Sequence, residues 1–262
     1  MKKSLLSKKY IITIIISFIV VVFISYCLNK GLFIKEVEKQ PTREELNIIY
    51  ANVIDRNSIM LENPIEYGDK YCSGYVSTAN DKEHHIEILN ELEQLSDEIC
   101  VGKENDYDKI KAIAYYVAEN IYYNKVAAEE SVTADTICLE TVLDTKTTTC
   151  AGYSNLFSAL CNMQDIYCVN LRGGTFSKDF YSSENLMNAP INHEWNAVLI
   201  EGEWLFIDTT WLSNNKYTED GYHRSDSFND MYLEMSLEEM SYEHRIDIID
   251  YRNFKSSINA FD

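Results

Sequence analysis

Cys150 opens the run Cys150-Ala151-Gly152-Tyr153, His193 stands within Asn192-His193-Glu194-Trp195-Asn196, and Asp208 closes Trp204-Leu205-Phe206-Ile207-Asp208. A thiol, an imidazole and a carboxylate are the groups that acyl transfer through a thioester requires. The thiol is the nucleophile, the imidazole takes and returns its proton, and the carboxylate fixes the imidazole tautomer. Any chain with several cysteines, histidines and aspartates contains such triplets by chance, so the local setting of each residue must decide. Taken alone, Cys150 reads as a small core residue, His193 as a half-buried histidine and Asp208 as a strand-end residue.

The elements around them give the triplet its geometry. Tyr153, Leu156, Phe157, Leu160 and Met163 recur at helical spacing after a polar stretch that ends in three threonines, so a helix is expected over Cys150 to Met163. Cys150 then sits at its N-terminus, where the helix dipole and unpaired N–H groups favour an anion, whether thiolate or oxyanion. Small Ala151 and Gly152 leave room for close approach, and Gly152, Tyr153 and Trp195 are the expected substrate contacts. Glu194 to Asp208 reads as two strands joined at Glu201-Gly202. A two-residue turn pairs Ile200 with Glu203, Trp195 with Asp208 and His193 with Thr210. His193 and Asp208 become diagonal neighbours on one face, roughly 7 to 8 Å apart at the backbone, while Glu194 points the other way. A three-residue loop would reverse that parity.

From about Asp106 to Arg245 the chain resembles the transglutaminase-like core domain, a branch of the papain-like thiol enzyme fold. The matching segments are Asp106 to Ile110 leading a helix towards Ile121-Tyr122-Tyr123, the Cys150 run, the His193 segment and Trp204 to Trp211. A weaker match, Tyr232-Leu233 to His244-Arg245, resembles the tail of many bacterial members. The resemblance implies Cys150 as nucleophile, His193 as base and Asp208 as its orienter.

Helices about Asp106 to Ile121 and Cys150 to Met163, with strands near Tyr167 to Leu171, Trp195 to Ile200 and Trp204 to Asp208, read as α+β. The nucleophile helix should pack on an antiparallel sheet. Upstream, Ile86, Leu89, Leu92, Leu95 and Ile99 mark a helix over His85 to Cys100. Leu46, Ile48, Ile49 and Val53 suggest a shorter one, and Tyr71 to Ser77 a strand. The expected organisation is a cytoplasmic tail (1–10), a transmembrane anchor (11–28), a stalk (29–45), a helical extension (46–105) and the catalytic domain (106–262).

Ile11 to Leu28 is an uncharged stretch of 18 residues behind Lys2, Lys3, Lys8 and Lys9. It is long enough to cross a hydrocarbon core, and the lysines place the catalytic domain outside a cell membrane. A cleaved signal peptide or lipoprotein is disfavoured by bulky Tyr26 before Cys27. Six of the 23 basic residues precede the first acid, Glu36, leaving 17 against 42 acidic ones. So acidic a remainder repels nucleic acid, and suits solubility or a basic acceptor. Five cysteines, Cys72, Cys100, Cys138, Cys161 and Cys168, remain once Cys27 and Cys150 are set aside. Their odd number and lack of C-x-x-C spacing fix neither pairing nor zinc. Adjacent His84 and His85 face apart on a helix, and nothing points to a metal or organic cofactor.

The expected function is a membrane-anchored, extracytoplasmic thiol acyltransferase acting on amide bonds of protein or cell-wall peptides. A thiol peptidase or amidase and a non-catalytic binding module are the alternatives.

Overall fold

A computed structural model describes residues 42–62, 82–175 and 189–250. Among these no helix is long and apolar enough to cross a membrane. The expected anchor at 11–28, the strand at 71–77 and the side chains of His84 and His85 lie outside what is described.

Nine helices and eight strands follow one another in the described residues. The first helices are α1 (Arg43–Glu62), α2 (Lys82–Cys100) and α3 (Asp106–Asn120), followed by strand β1 (Tyr122–Asn124) and the short α4 (Lys125–Glu130), α5 (Ala134–Ile137) and α6 (Leu139–Thr145). Then come β2 (Thr147–Thr148), α7 (Cys150–Met163), β3 (Cys168–Thr175), β4 (His193–Ile200), β5 (Glu203–Ile207) and α8 (Thr209–Leu212). The described residues close with β6 (Lys216–Thr218), β7 (Gly221–His223), α9 (Leu237–Ser241) and β8 (His244–Asp250). Helix α7 has the expected bounds. Helix α1 starts earlier than expected, because Thr42 and Glu45 form a reciprocal cap: Glu45 N donates to Thr42 Oγ1 at 3.2 Å and Thr42 N to Glu45 Oε2 at 2.7 Å. Arg43 to Glu45 are thus helix rather than stalk.

The main sheet runs β5-β4-β3-β8, antiparallel throughout. Its first hairpin turns on Glu201 and Gly202, with φ of 52° and 89°. Two left-handed residues make the turn whose twist suits a two-residue hairpin, and Ile200 pairs with Glu203 as expected. One difference follows downstream. The β4–β5 ladder stops at Asn196 and Ile207, and Thr209 enters α8, so His193 has no strand partner in Thr210. Asp208 is the residue at which strand becomes helix.

Helix α7 is apolar nearly all round, and from Gly152 onward only Asn162 escapes full burial, which is the signature of a central helix. It packs between one face of the sheet and helices α2 and α3. Leu156, Phe157 and Leu160 share a core with Val198, Ile207, Ile113 and Val117. The other sheet face carries Val169, Leu171, Trp195, Phe206 and Ile249 and is closed by Met240 of α9 and by Met60 and Leu61 of α1. A second small sheet, β2-β1-β6-β7, was not visible in the sequence pattern, because its strands have only two or three residues.

Candidate functional site

The register of α7 on the sheet is set by buried polar contacts rather than by apolar packing alone. Ser154 Oγ donates to the Trp195 carbonyl at 3.1 Å, and Asn196 Nδ2 donates to the Ser154 carbonyl at 3.1 Å. Asn170 Nδ2 reaches both Asn155 Oδ1 and Glu194 Oε1 at 3.0 Å. Every member is buried, so sliding the helix would strand several polar atoms out of water, each costing about 1–3 kcal/mol. Glu194, expected to face away from His193, takes part in this network, with Arg172 Nε at 3.3 Å from Oε2.

Cys150 is the half-buried first residue of α7 and His193 the first residue of β4, and the thiol is among the groups that act on the imidazole. His193 Nε2 lies 2.6 Å from Asp208 Oδ2. Asp208 has no exposed surface. Its Oδ1 accepts the Trp211 backbone N–H at 3.0 Å as the cap of α8, and its Oδ2 also receives His244 Nε2 at 3.1 Å. Burial alone would strip the proton from His193. The charge and hydrogen bond of Asp208, then those of Cys150, overcome it and push the imidazole up to about 10. Burial likewise opposes the Asp208 carboxylate, and the His193 charge and hydrogen bonds from both histidines hold it well below the usual range. His244 moves the other way: burial lowers it against the pull of Asp208, so it is neutral. The Cys150 charge also reaches Tyr123, whose hydroxyl is pushed up chiefly by burial.

His193 stacks on Trp211 at 5.0 Å and Trp195 at 6.0 Å between ring centroids, aromatic faces that favour an imidazolium. A cleft of about 330 Å³ opens beside it, lined by Tyr123, Thr210, Trp211, Asn215, Lys216 and Tyr232 among others. His193, Asp208 and His244 bring one ligand atom each within 4.8 Å of one another, a set that could hold a metal ion. Here both Nε2 atoms converge on one carboxylate oxygen at hydrogen-bond distance, and separations of 2.6 and 3.1 Å describe shared protons, not a cage around an ion.

The three expected substrate contacts are placed elsewhere. Tyr153 is a core residue whose hydroxyl donates to the Ile121 carbonyl at 2.7 Å. Gly152 faces strand β2, where an added Cβ would lie 1.8 Å from Thr148 Oγ1. Trp195 is buried behind His193 and His244. None of the three lines the cleft, whose wall includes Tyr123 on a three-residue strand, Trp211 on a four-residue helix and Asn215 in the loop that follows it, all too short to show a sequence period. His244 was equally missed; the only signal was its place in the Tyr232 to Arg245 tail. Cys100, Cys138, Cys161 and Cys168 are free thiols, and Cys72 lies outside the described residues.

Residues 93–209 match the family model described as the transglutaminase-like superfamily, so this segment is similar to a transglutaminase-like core domain. Such folds are typical of Cys-His-Asp thiol enzymes. Kyphoscoliosis peptidase of Mus musculus is 30% identical over 129 residues, 49% of this chain and 19% of that protein. The Lim and transglutaminase domain protein of Caenorhabditis elegans is 26% identical over 100 residues, 35% of this chain and 14% of that protein. The chain thus spans less than a fifth of these curated relatives. A solved structure of a TGase overlaps 62% of this chain and 40% of its own, at 22% identity and a TM-score of 0.40.

The raised imidazole has a consequence for stability. A histidine held protonated by the fold stabilises fully below its ordinary range near 6.5, and that contribution is lost as pH climbs towards about 10. The melting temperature is therefore expected to fall from pH 6.5 to 10 and the slope to flatten in His193→Gln. Scanning calorimetry of both proteins checks it, and parallel slopes would refute it.

Proposed function

We propose that the chain is a thiol enzyme acting on amide bonds of protein or cell-wall peptides, with Cys150, His193 and Asp208 as its reacting centre. The observation that carries this reading is the buried 2.6 Å His193–Asp208 contact, supported by the action on the same imidazole of the cysteine that begins the central helix. With Nε2 committed to Asp208, Nδ1 is the ring nitrogen left to exchange a proton with the thiol and the substrate. Cys150 Sγ attacks the amide carbonyl carbon, and the N–H groups of α7 ahead of Gly152, whose own N–H donates to the Thr149 carbonyl, are offered to the oxyanion, since Thr149 makes no side-chain cap. The C–N bond breaks as His193 delivers its proton to the departing nitrogen, leaving a thioester. A second nucleophile then attacks the thioester, gives its proton back to His193 and releases the thiol.

Transfer to an amine is the leading reading, favoured by the transglutaminase-like core and by aromatic walls that limit water at the thioester. Hydrolysis is the second, favoured by the name of the mouse relative, a peptidase. An anchor at 11–28 would hold this activity outside the cell membrane, as the lysines before it indicate. A glutamine-containing peptide with a labelled primary amine tests the reading. Cys150-dependent labelling supports transfer, and Cys150-dependent release of ammonia or peptide alone supports hydrolysis. Neither product, with Cys150→Ala indistinguishable from the parent, would leave a binding module.

A further inference from the structure

Asp208 is gripped by two histidines, and only one of them belongs to the segment that matches the family model. That match ends at Thr209, while His244 begins β8 and Asn57 lies in α1, both outside it. His244 has no exposed surface, and its Nε2 lies 3.1 Å from the same Asp208 oxygen that holds His193. No described acceptor reaches its Nδ1, so the ring carries its single proton on Nε2 and donates it. The ring is packed at 4.7 Å from Trp195 and 4.6 Å from Trp211, which fixes its plane.

Its backbone is fixed from the other side. Asn57, fully buried, donates from Nδ2 to the His244 carbonyl at 3.0 Å and to Ser241 Oγ at 2.9 Å, and its Oδ1 accepts the Ile246 N–H at 2.7 Å. An amide that spends both ends on one strand terminus is a clamp. It leaves β8 no freedom to slide relative to α1, and Arg56 adds an ion pair to Asp247 at 2.6 Å.

We propose that His244 is a positioning residue for the reaction, holding the Asp208 carboxylate in the rotamer that meets His193, and that Asn57 extends this hold to α1. The inference rests on the reading of Cys150, His193 and Asp208 as the reacting centre. It adds that the domain in the family model is incomplete without α1 and β8. A carboxylate with two donors on one oxygen and a third on the other cannot rotate without leaving a buried donor unpaired. With His244 gone, one of those restraints is lost and His193 is free to drift from the thiol.

The full chain carries the test. Long-range proton–nitrogen spectra of the unmodified protein at pH 7 should show His244 neutral with its proton on Nε2, and His193 protonated on both nitrogens. His244→Phe keeps a ring without a donor, whereas His244→Gln restores an amide donor. Iodoacetamide labelling of Cys150 at pH 6, read by peptide mass spectrometry, should slow about tenfold in His244→Phe and in Asn57→Leu. In His244→Gln it should stay within about threefold of the parent. Equal loss in Phe and Gln variants, no loss in either, or a His244 proton on Nδ1 would overturn the proposal. If the variants do not fold, the spectra of the parent decide. Should the parent turn over no amide while these differences persist, the reaction assigned to the site falls and the positioning role stands.

Discussion

Asp208→Asn should lower Cys150-dependent turnover by about three to four orders of magnitude while leaving the fold in place. The carboxylate is fully buried and neutralises the imidazolium at 2.6 Å, so its charge is what keeps a proton on His193 against burial. An amide has nearly the same shape but one accepting atom instead of two. Three donors, from His193, His244 and Trp211, compete for it. If the amide oxygen stays on the Trp211 N–H, the amide nitrogen faces both histidines and forces His193 into the tautomer that puts its proton on Nδ1, facing the thiol. Histidine nitrogen spectra should show His193 falling well below about 10, since only the smaller pull of Cys150 then opposes burial. Circular dichroism checks the fold, and amine incorporation or peptide release checks the rate. Turnover within tenfold of the parent would remove Asp208 from the reacting centre.

The sequence made Asp208 legible for a specific reason. A two-residue turn at Glu201-Gly202 fixes the parity of β4 on β5, and parity brings His193 and Asp208 to one side. That argument needs only a turn and a period of two. It overreached at Thr210, because a strand rule does not register that Asp208 can cap a helix: its Oδ1 accepts Trp211 N–H and diverts the chain into α8. The bounds of α7 were legible because its apolar residues lie at helical spacing after the three threonines and end at Met163. Which faces it buries was not, and Tyr153 was assigned to substrate when the helix is enclosed on all sides. His244 lay furthest from reach. It stands 36 residues from Asp208 and arrives through β8, whose pairing with β3 is non-local and whose anchor, Asn57, is further still along the chain. No local pattern encodes such a contact; it is a product of sheet order.

That dependence on sheet order makes Gly173 the most sensitive structural position in the site. Gly173 pairs with His193 on one side and with Ile246 of β8 on the other, at a register shift between Arg172 and Gly173. A Cβ here would lie 1.7 Å from the Arg245 carbonyl oxygen, 2.9 Å from its carbon and 3.0 Å from Trp195 Cη2. The first two contacts are backbone, so no rotamer change relieves them. Strand β8 must retreat, and His244 at its first residue goes with it, while Trp195 is pressed towards the two histidines that it supports. Gly173→Ala should therefore cost about 3 kcal/mol or more and, where any protein folds, disrupt Cys150 labelling as His244→Phe does. Gly174→Ala is the control. Its Cβ would meet the Ala189 Cβ at 3.0 Å, Arg245 Nη2 at 3.2 Å and the Ala189 carbonyl oxygen at 3.3 Å, contacts that call for shifts of only a few tenths of an ångström. Urea unfolding of the two variants separates them. Equal midpoints would show that β8 tolerates displacement, and the tight packing of β3 against β8 would then have no part in shaping the site.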